Sequence, residues 1–111
     1  MLHATEGQVL ANGQLPASKT AIYTVGAGTH TNINLFSIFQ SGANAPQTVQ
    51  VWITPSGGSD IPIGQWILSG VGYSAYPFAS TVNLNAGDAI KASTTDTLNV
   101  DYVISGANTA P

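Results

Sequence analysis

The 111-residue chain has no cysteine and no arginine, and its only lysines are Lys19 and Lys91. Without cysteine there is no disulfide framework and no thiolate for catalysis or metal binding, and the redox compartment is left open. Two cations cannot neutralise a run of phosphates, which argues against nucleic acid as a partner. The same shortage argues against an anionic membrane surface. Charged residues make up 6% of the chain, with a net charge of −3, where about 25% is usual. No apolar run approaches the ~20 residues that span a bilayer. Met1-Leu-His-Ala-Thr-Glu6 lacks the basic and apolar regions of a secretory signal, so the expectation is a soluble protein made in the cytoplasm. No segment repeats its apolar residues at helical spacing.

Strand-forming and turn-forming residues fill the space. The apolar fraction of 43% supports one domain with a single core that buries roughly two-thirds of the unfolded surface. Asn, Ser, Thr, Gln and Gly replace charge on that surface. So neutral an exterior gives little colloidal repulsion and suits a protein that works inside an assembly.

The clearest segment is Thr48-Val-Gln-Val-Trp-Ile-Thr54. Val49, Val51 and Ile53 alternate with Thr48, Gln50, Trp52 and Thr54, the period-two signature of a strand. Pro55 and Ser56-Gly-Gly-Ser59 end it. Thr20–Val25 and Thr31–Phe39 read as strands, the second with Ile33, Leu35 and Phe39 on one face. Ile61–Leu68, with its proline and glycine, reads as an edge or bulged strand. Tyr73–Leu84 reads as one irregular strand or two broken at Pro77. Asn85-Ala-Gly-Asp88 reads as a turn with Asp88 bonding its own downstream amides. Asp88–Thr94 and Leu98–Ile104 follow, the latter with Leu98, Val100, Tyr102 and Ile104 inward. Seven or eight short strands with regular turn signals predict an antiparallel β-sandwich over residues 19–106, jelly-roll or immunoglobulin-like. Residues 1–18 are expected to form an N-terminal arm with one short strand, and 107–111 a polar tail.

The order Tyr23-Thr-Val, Ala27-Gly-Thr, Val49-Gln-Val-Trp-Ile-Thr-Pro-Ser-Gly-Gly58 and Leu84-Asn-Ala-Gly-Asp-Ala-Ile-Lys-Ala-Ser93 resembles small all-β structural proteins of tailed bacteriophage virions. The resemblance covers about residues 20–105 and departs from the pattern at Gly26, where such proteins commonly carry proline. It implies a capsid decoration (cement) protein on the virion surface, or alternatively a carbohydrate- or receptor-binding module of a tail or fibre. The partners it implies are the major capsid protein and the chain itself, as a homo-oligomer for which a trimer suits the local threefold positions of a shell. On that reading the arm lies across a neighbouring chain, and removing residues 1–15 leaves the sandwich folded.

The residues singled out as an interface are Trp52, Trp66, Gln50, Tyr73 and Tyr76. If Val49 and Val51 face the core, Trp52 points away from it, on the face that also carries Gln50. Trp66 lies out of phase with Ile61, Ile63 and Ile67, which suggests that it too faces outward. Tryptophan and tyrosine are enriched at the centres of interfaces, although a bulge or a covering loop makes either indole ordinary core. Tyr73, Tyr76, Phe78 and Trp66 are also the raw material of a sugar-stacking platform, with core and turn packing the more frequent role. Catalytic candidates are few. His3 and His30 are the only imidazoles, Asp96 and Asp101 straddle one hairpin, and no nucleophile elbow, phosphate loop or metal-ligand spacing occurs. The expectation is a non-enzymatic protein with no cofactor and no metal.

Overall fold

The computed structural model describes residues 8–78 and 80–109. They form nine strands: β1 (Gln8–Gln14), β2 (Thr20–Thr24), β3 (His30–Gln40), β4 (Gln47–Thr54), β5 (Ile61–Leu68), β6 (Ser74–Ala75), β7 (Val82–Leu84), β8 (Ala89–Ser93) and β9 (Val100–Thr109). β6 and β7 are the two halves of the stretch broken at Pro77, and both pair with β3. One sheet runs β1-β9-β3-β6, with β7 also on β3, and the other runs β2-β8-β4-β5. All pairings are antiparallel.

The pairs nest within one another: β4 with β5, then β3 with β6 and β7, then β2 with β8, then β1 with β9. Successive nested pairs fall in opposite sheets. With β6 and β7 counted as one interrupted strand, this is the eight-stranded jelly roll rather than the immunoglobulin-like sandwich.

Alternation builds the core between the sheets. Val49 and Val51 of β4 and Ile90 and Ala92 of β8 meet Ile33, Phe36 and Ile38 of β3 and Val100, Tyr102 and Ile104 of β9. In β3 the sequence phase holds only as far as Ile33. A register shift between Ile33 and Leu35 inserts one residue, and a one-residue slip exchanges the two faces. Phe36, Ile38 and Gln40 are therefore buried, while Leu35 and Phe39 are exposed. Gly106 of β9 allows the close approach at this bulge, because a Cβ there would lie 1.9 Å from the Asn32 carbonyl oxygen.

Three expectations need correction. Residues 8–14 are not an arm: β1 pairs with β9 along its length, Leu15 is fully buried, and only residues 1–7 of the expected arm lie outside the described residues. Removing residues 1–15 would strip an edge strand and a core leucine, so it cannot leave the sandwich intact. The expected tail is likewise part of β9 as far as Thr109, and residues 110 and 111 lie outside the described residues. Leu98 points outward with φ of 70° and 66% exposure. Asn99 is drawn inward in its place, because its carbonyl accepts the Ser41 and Gly42 amides and its side chain donates to the Thr97 carbonyl.

The β3–β4 connection is held from inside by two buried glutamines. Gln40 Nε2 donates to the carbonyls of Gly42 and Asn44. Gln47 Nε2 donates to the Asn44 carbonyl and to Asp96, and its Oε1 accepts from Thr94 Oγ1 and the Asp96 amide. Backbone groups that water cannot reach need such partners. Asp88 also works differently from expectation. It accepts the upstream Asn85 amide at 2.8 Å and the Ser56 amide at 2.9 Å, tying the β4–β5 turn to the β7–β8 turn.

Candidate interaction surface

β5 closes one side of its sheet and, among the described residues, pairs only with β4. Its proline suits that place, since Pro62 has no amide to donate to a further strand. A register shift opposite Val51 and Trp52 accompanies it. Gly64, Trp66 and Leu68 stand opposite Val51, Val49 and Gln47 and share their inward face, whereas Gln65 and Ile67 stand opposite Gln50 and Thr48 and face out.

Trp66 is thus turned inward, against the expectation, and packs half-buried on the core. Gly64 makes this possible: a Cβ at that position would sit 2.9 Å from the indole. Three isoleucines stay exposed on this strand: Ile67 at 63% on the outer face, Ile63 at 38% at the register shift, and Ile61 at 50% opposite Ile53 at the strand's start. Val71, Tyr73 and Tyr76 in the following loops are exposed as well, and β6, which lies among them, approaches β5 across the open side of the sandwich. No charged residue occurs from Ile61 to Gly87. This uncharged, apolar flank was missed as a set in the sequence, although its signal was present: a long stretch without charge that keeps large aliphatic residues on the wrong phase of an edge strand.

Trp52 does face away from the core, on the outer surface of β4, but its own chain half covers it. Lys19 Nζ lies 4.9 Å from the ring centroid, a cation–π distance. Lys19 and Lys91 both reach Asp60, at 2.6 and 2.9 Å, and Thr54 Oγ1 donates to the same carboxylate. Lys91 stands opposite Trp52 in the β4–β8 register. The cluster pins β2, β8, β4 and the β4–β5 turn across one face. Hydrogen bonds from Lys19, Thr54 and Lys91 hold the Asp60 carboxyl well below the ordinary carboxylate range. Gln50 Nε2 donates to Gln65 Oε1 at 2.9 Å, and the two line a shallow depression of about 260 Å³ beside Trp52 and Pro62.

The five interface candidates therefore fall into three places. Trp52 and Gln50 share the outer face of β4, Tyr73 and Tyr76 sit on the loops flanking β6, and Trp66 packs inward. The aromatic platform does not assemble, because Phe78 packs edge-on against Phe36 with ring centroids 5.2 Å apart. Among the described residues no three of His, Asp and Glu come together. Asp96 is engaged by Gln47, and Asp101 lies opposite Phe39 on β3.

No protein-family model matches the chain, and no curated protein matches it. Among solved structures it is similar to a chain from a study of Bacillus endospore appendages, described as a novel family of disulfide-linked pili. The TM-score is 0.53 and the identity 12%, over 96% of this chain and 86% of that one. It is also similar to the Drosophila NLP core, whose crystal structure is described as giving insight into pentamer formation and histone binding. There the TM-score is 0.51 and the identity 18%, over 92% of this chain and 99% of that one. At such identities the likeness is one of fold.

Proposed function

We propose that this chain is a non-enzymatic structural subunit of a phage virion, a decoration protein that binds the lattice of the major capsid protein and its own copies. The observation that carries the reading is the β5 flank. Among the described residues, six of the ten exposed large apolar side chains, Ile61, Ile63, Ile67, Val71, Tyr73 and Tyr76, fall between residues 61 and 76, inside a stretch with no charge. Apolar patches of this kind on a small soluble domain mark contact surfaces, and depletion of charge marks the centre of an interface. The resemblance of residues 20–105 to virion proteins supplies the kind of assembly. The two similar folds are described in a pilus and a pentamer, which supports a multi-subunit setting.

On this reading the flank docks on the shell or on a neighbouring copy, and a closed trimer fits a local threefold position. Because binding favours only the assembled lattice, each added subunit stabilises the shell by mass action. The test is addition of the purified chain to empty phage shells stripped of accessory proteins. Saturable co-sedimentation at many copies per shell, together with a rise in the shell's melting temperature, is expected. Failure to co-sediment with the shells would refute decoration.

A further inference from the structure

We infer that the outer face of the other sheet carries a binding site for a neutral glycan, independent of the β5 flank and of any role in a shell. The site is a groove of about 560 Å³ across β7, β3 and β9, within the size range of small-ligand sites. His30, Asn32 and Asn34 project from one face of β3 into it, and Asn83 and Asn85 approach from β7 and the turn beyond. The depression exists because the β9 residue opposite Asn32 is the small Ala107, with Thr109 the other β9 residue that lines the groove. Longer side chains rise around that alanine, which is itself buried.

The polar groups are arranged in cross-strand ties. Asn32 Nδ2 donates to Asn83 Oδ1 at 2.6 Å, His30 Nδ1 lies 3.2 Å from Asn85 Oδ1, and Ser105 Oγ donates to Asn34 Oδ1 at 3.3 Å. Each tie fixes one end of an amide and leaves the other end without a side-chain partner among the described residues. Asn32 keeps its Oδ1, and Asn83, Asn85 and Asn34 keep their Nδ2 groups. An amide carries two donors and two acceptor lone pairs, so the groove offers donors and acceptors side by side, already oriented by paired strands.

That inventory selects the ligand class. No charged side chain lines the groove, so an anionic or cationic ligand would shed its water without compensation. No Phe, Tyr or Trp ring lines it, so a planar base has only the small His30 imidazole, already tied to Asn85, to stack on. A neutral sugar fits both conditions. Its hydroxyls donate and accept against paired amides, and its C–H face lies on Ala107.

The test is ¹⁵N–¹H titration of the full chain with neutral oligosaccharides (maltotriose, cellotriose and chitotriose) and with sialyllactose as the acidic comparator. The side-chain NH₂ signals of Asn32, Asn83 and Asn85 should shift saturably with at least one neutral sugar, with a dissociation constant on the order of 1 mM, and not with sialyllactose. Asn32→Ala and Asn83→Ala should each weaken that binding about tenfold or more. Both positions are exposed, and the same spectra report whether each variant is folded. Shifts confined to other surfaces, equal response to the acidic sugar, or no response to any neutral sugar would overturn the site.

Discussion

Replacing Ile67 by lysine tests the β5 flank with least damage to the fold. Ile67 stands opposite Thr48 on the outer face of an edge strand, so the isolated domain should lose about 0.5 kcal/mol or less. Full burial of an isoleucine side chain contributes about 1.5 to 3 kcal/mol. Since 63% of Ile67 remains open to water, a partner covering it gains roughly 1 to 2 kcal/mol. Lysine forfeits that gain and must also give up water around its ammonium. No carboxylate between Ile61 and Gly87 can compensate, which adds at least about 1 kcal/mol. The sum, about 2 to 3 kcal/mol for each contact, weakens association by about 30- to 140-fold. Sedimentation velocity over a concentration series reads the association, and urea unfolding reads the domain itself. Ala27→Lys, in the exposed β2–β3 turn, is the charge-matched control. The reasoning fails if Ile67→Lys assembles like the parent at unchanged stability, or if Ala27→Lys disrupts assembly equally.

Three further substitutions probe how the surfaces are held. Gly106→Ala forces a methyl group into the Asn32 carbonyl at the β3 bulge, and should cost at least about 2 kcal/mol and broaden the groove's amide signals, read by urea unfolding and ¹⁵N spectra. Gln47→Leu keeps bulk but orphans the Thr94 hydroxyl and the Asp96 amide and leaves the Asn44 carbonyl to Gln40 alone, with an expected loss of about 2 to 4 kcal/mol in thermal melts. Asp60 has a folded-state pKa below its unfolded value. Its stabilisation is therefore complete above the ordinary carboxylate pKa of about 3.9 and fades as pH falls below it. Asp60→Asn should flatten the acid limb of a stability-versus-pH profile and leave its neutral-to-alkaline shape unchanged.

The sandwich was legible because β4 and β9 from Val100 to Ile104 alternate, so Val49, Val51, Val100, Tyr102 and Ile104 could be named as inward from their neighbours. Reading failed where one residue changed the phase. The insertion after Ile33 turned Leu35 and Phe39 outward, and nothing in Asn-Leu-Phe-Ser marks it, because the space for it comes from Gly106 on another strand. Trp66 was misread for a related reason: its inward turn depends on Gly64 two residues before it, so the aromatic and not the isoleucines follows the core. Leu98 was misread because its fate depends on Asn99 capping the β3–β4 connection, a contact between segments distant in sequence. The uncharged span from Ile61 to Gly87 was visible from composition alone. The asparagine groove was not, since it gathers residues from three strands that only pairing brings side by side.

The nesting of the strands has a consequence for how the protein comes to be made. Of the nine described strands β9 is made last and β1 first, yet β9 lies between β1 and β3. Until β9 emerges from the ribosome, β1 has no strand to pair with, and β3 lacks its longest pairing. Such distant pairings pay their loop-closure entropy before any contact repays it, so β1 and one edge of β3 wait unpaired until β9 is made, while β4 can already pair with β5. A frameshift or stop codon just before Val100 would release a chain lacking the centre of one sheet, destined for aggregation or proteolysis rather than for a smaller domain.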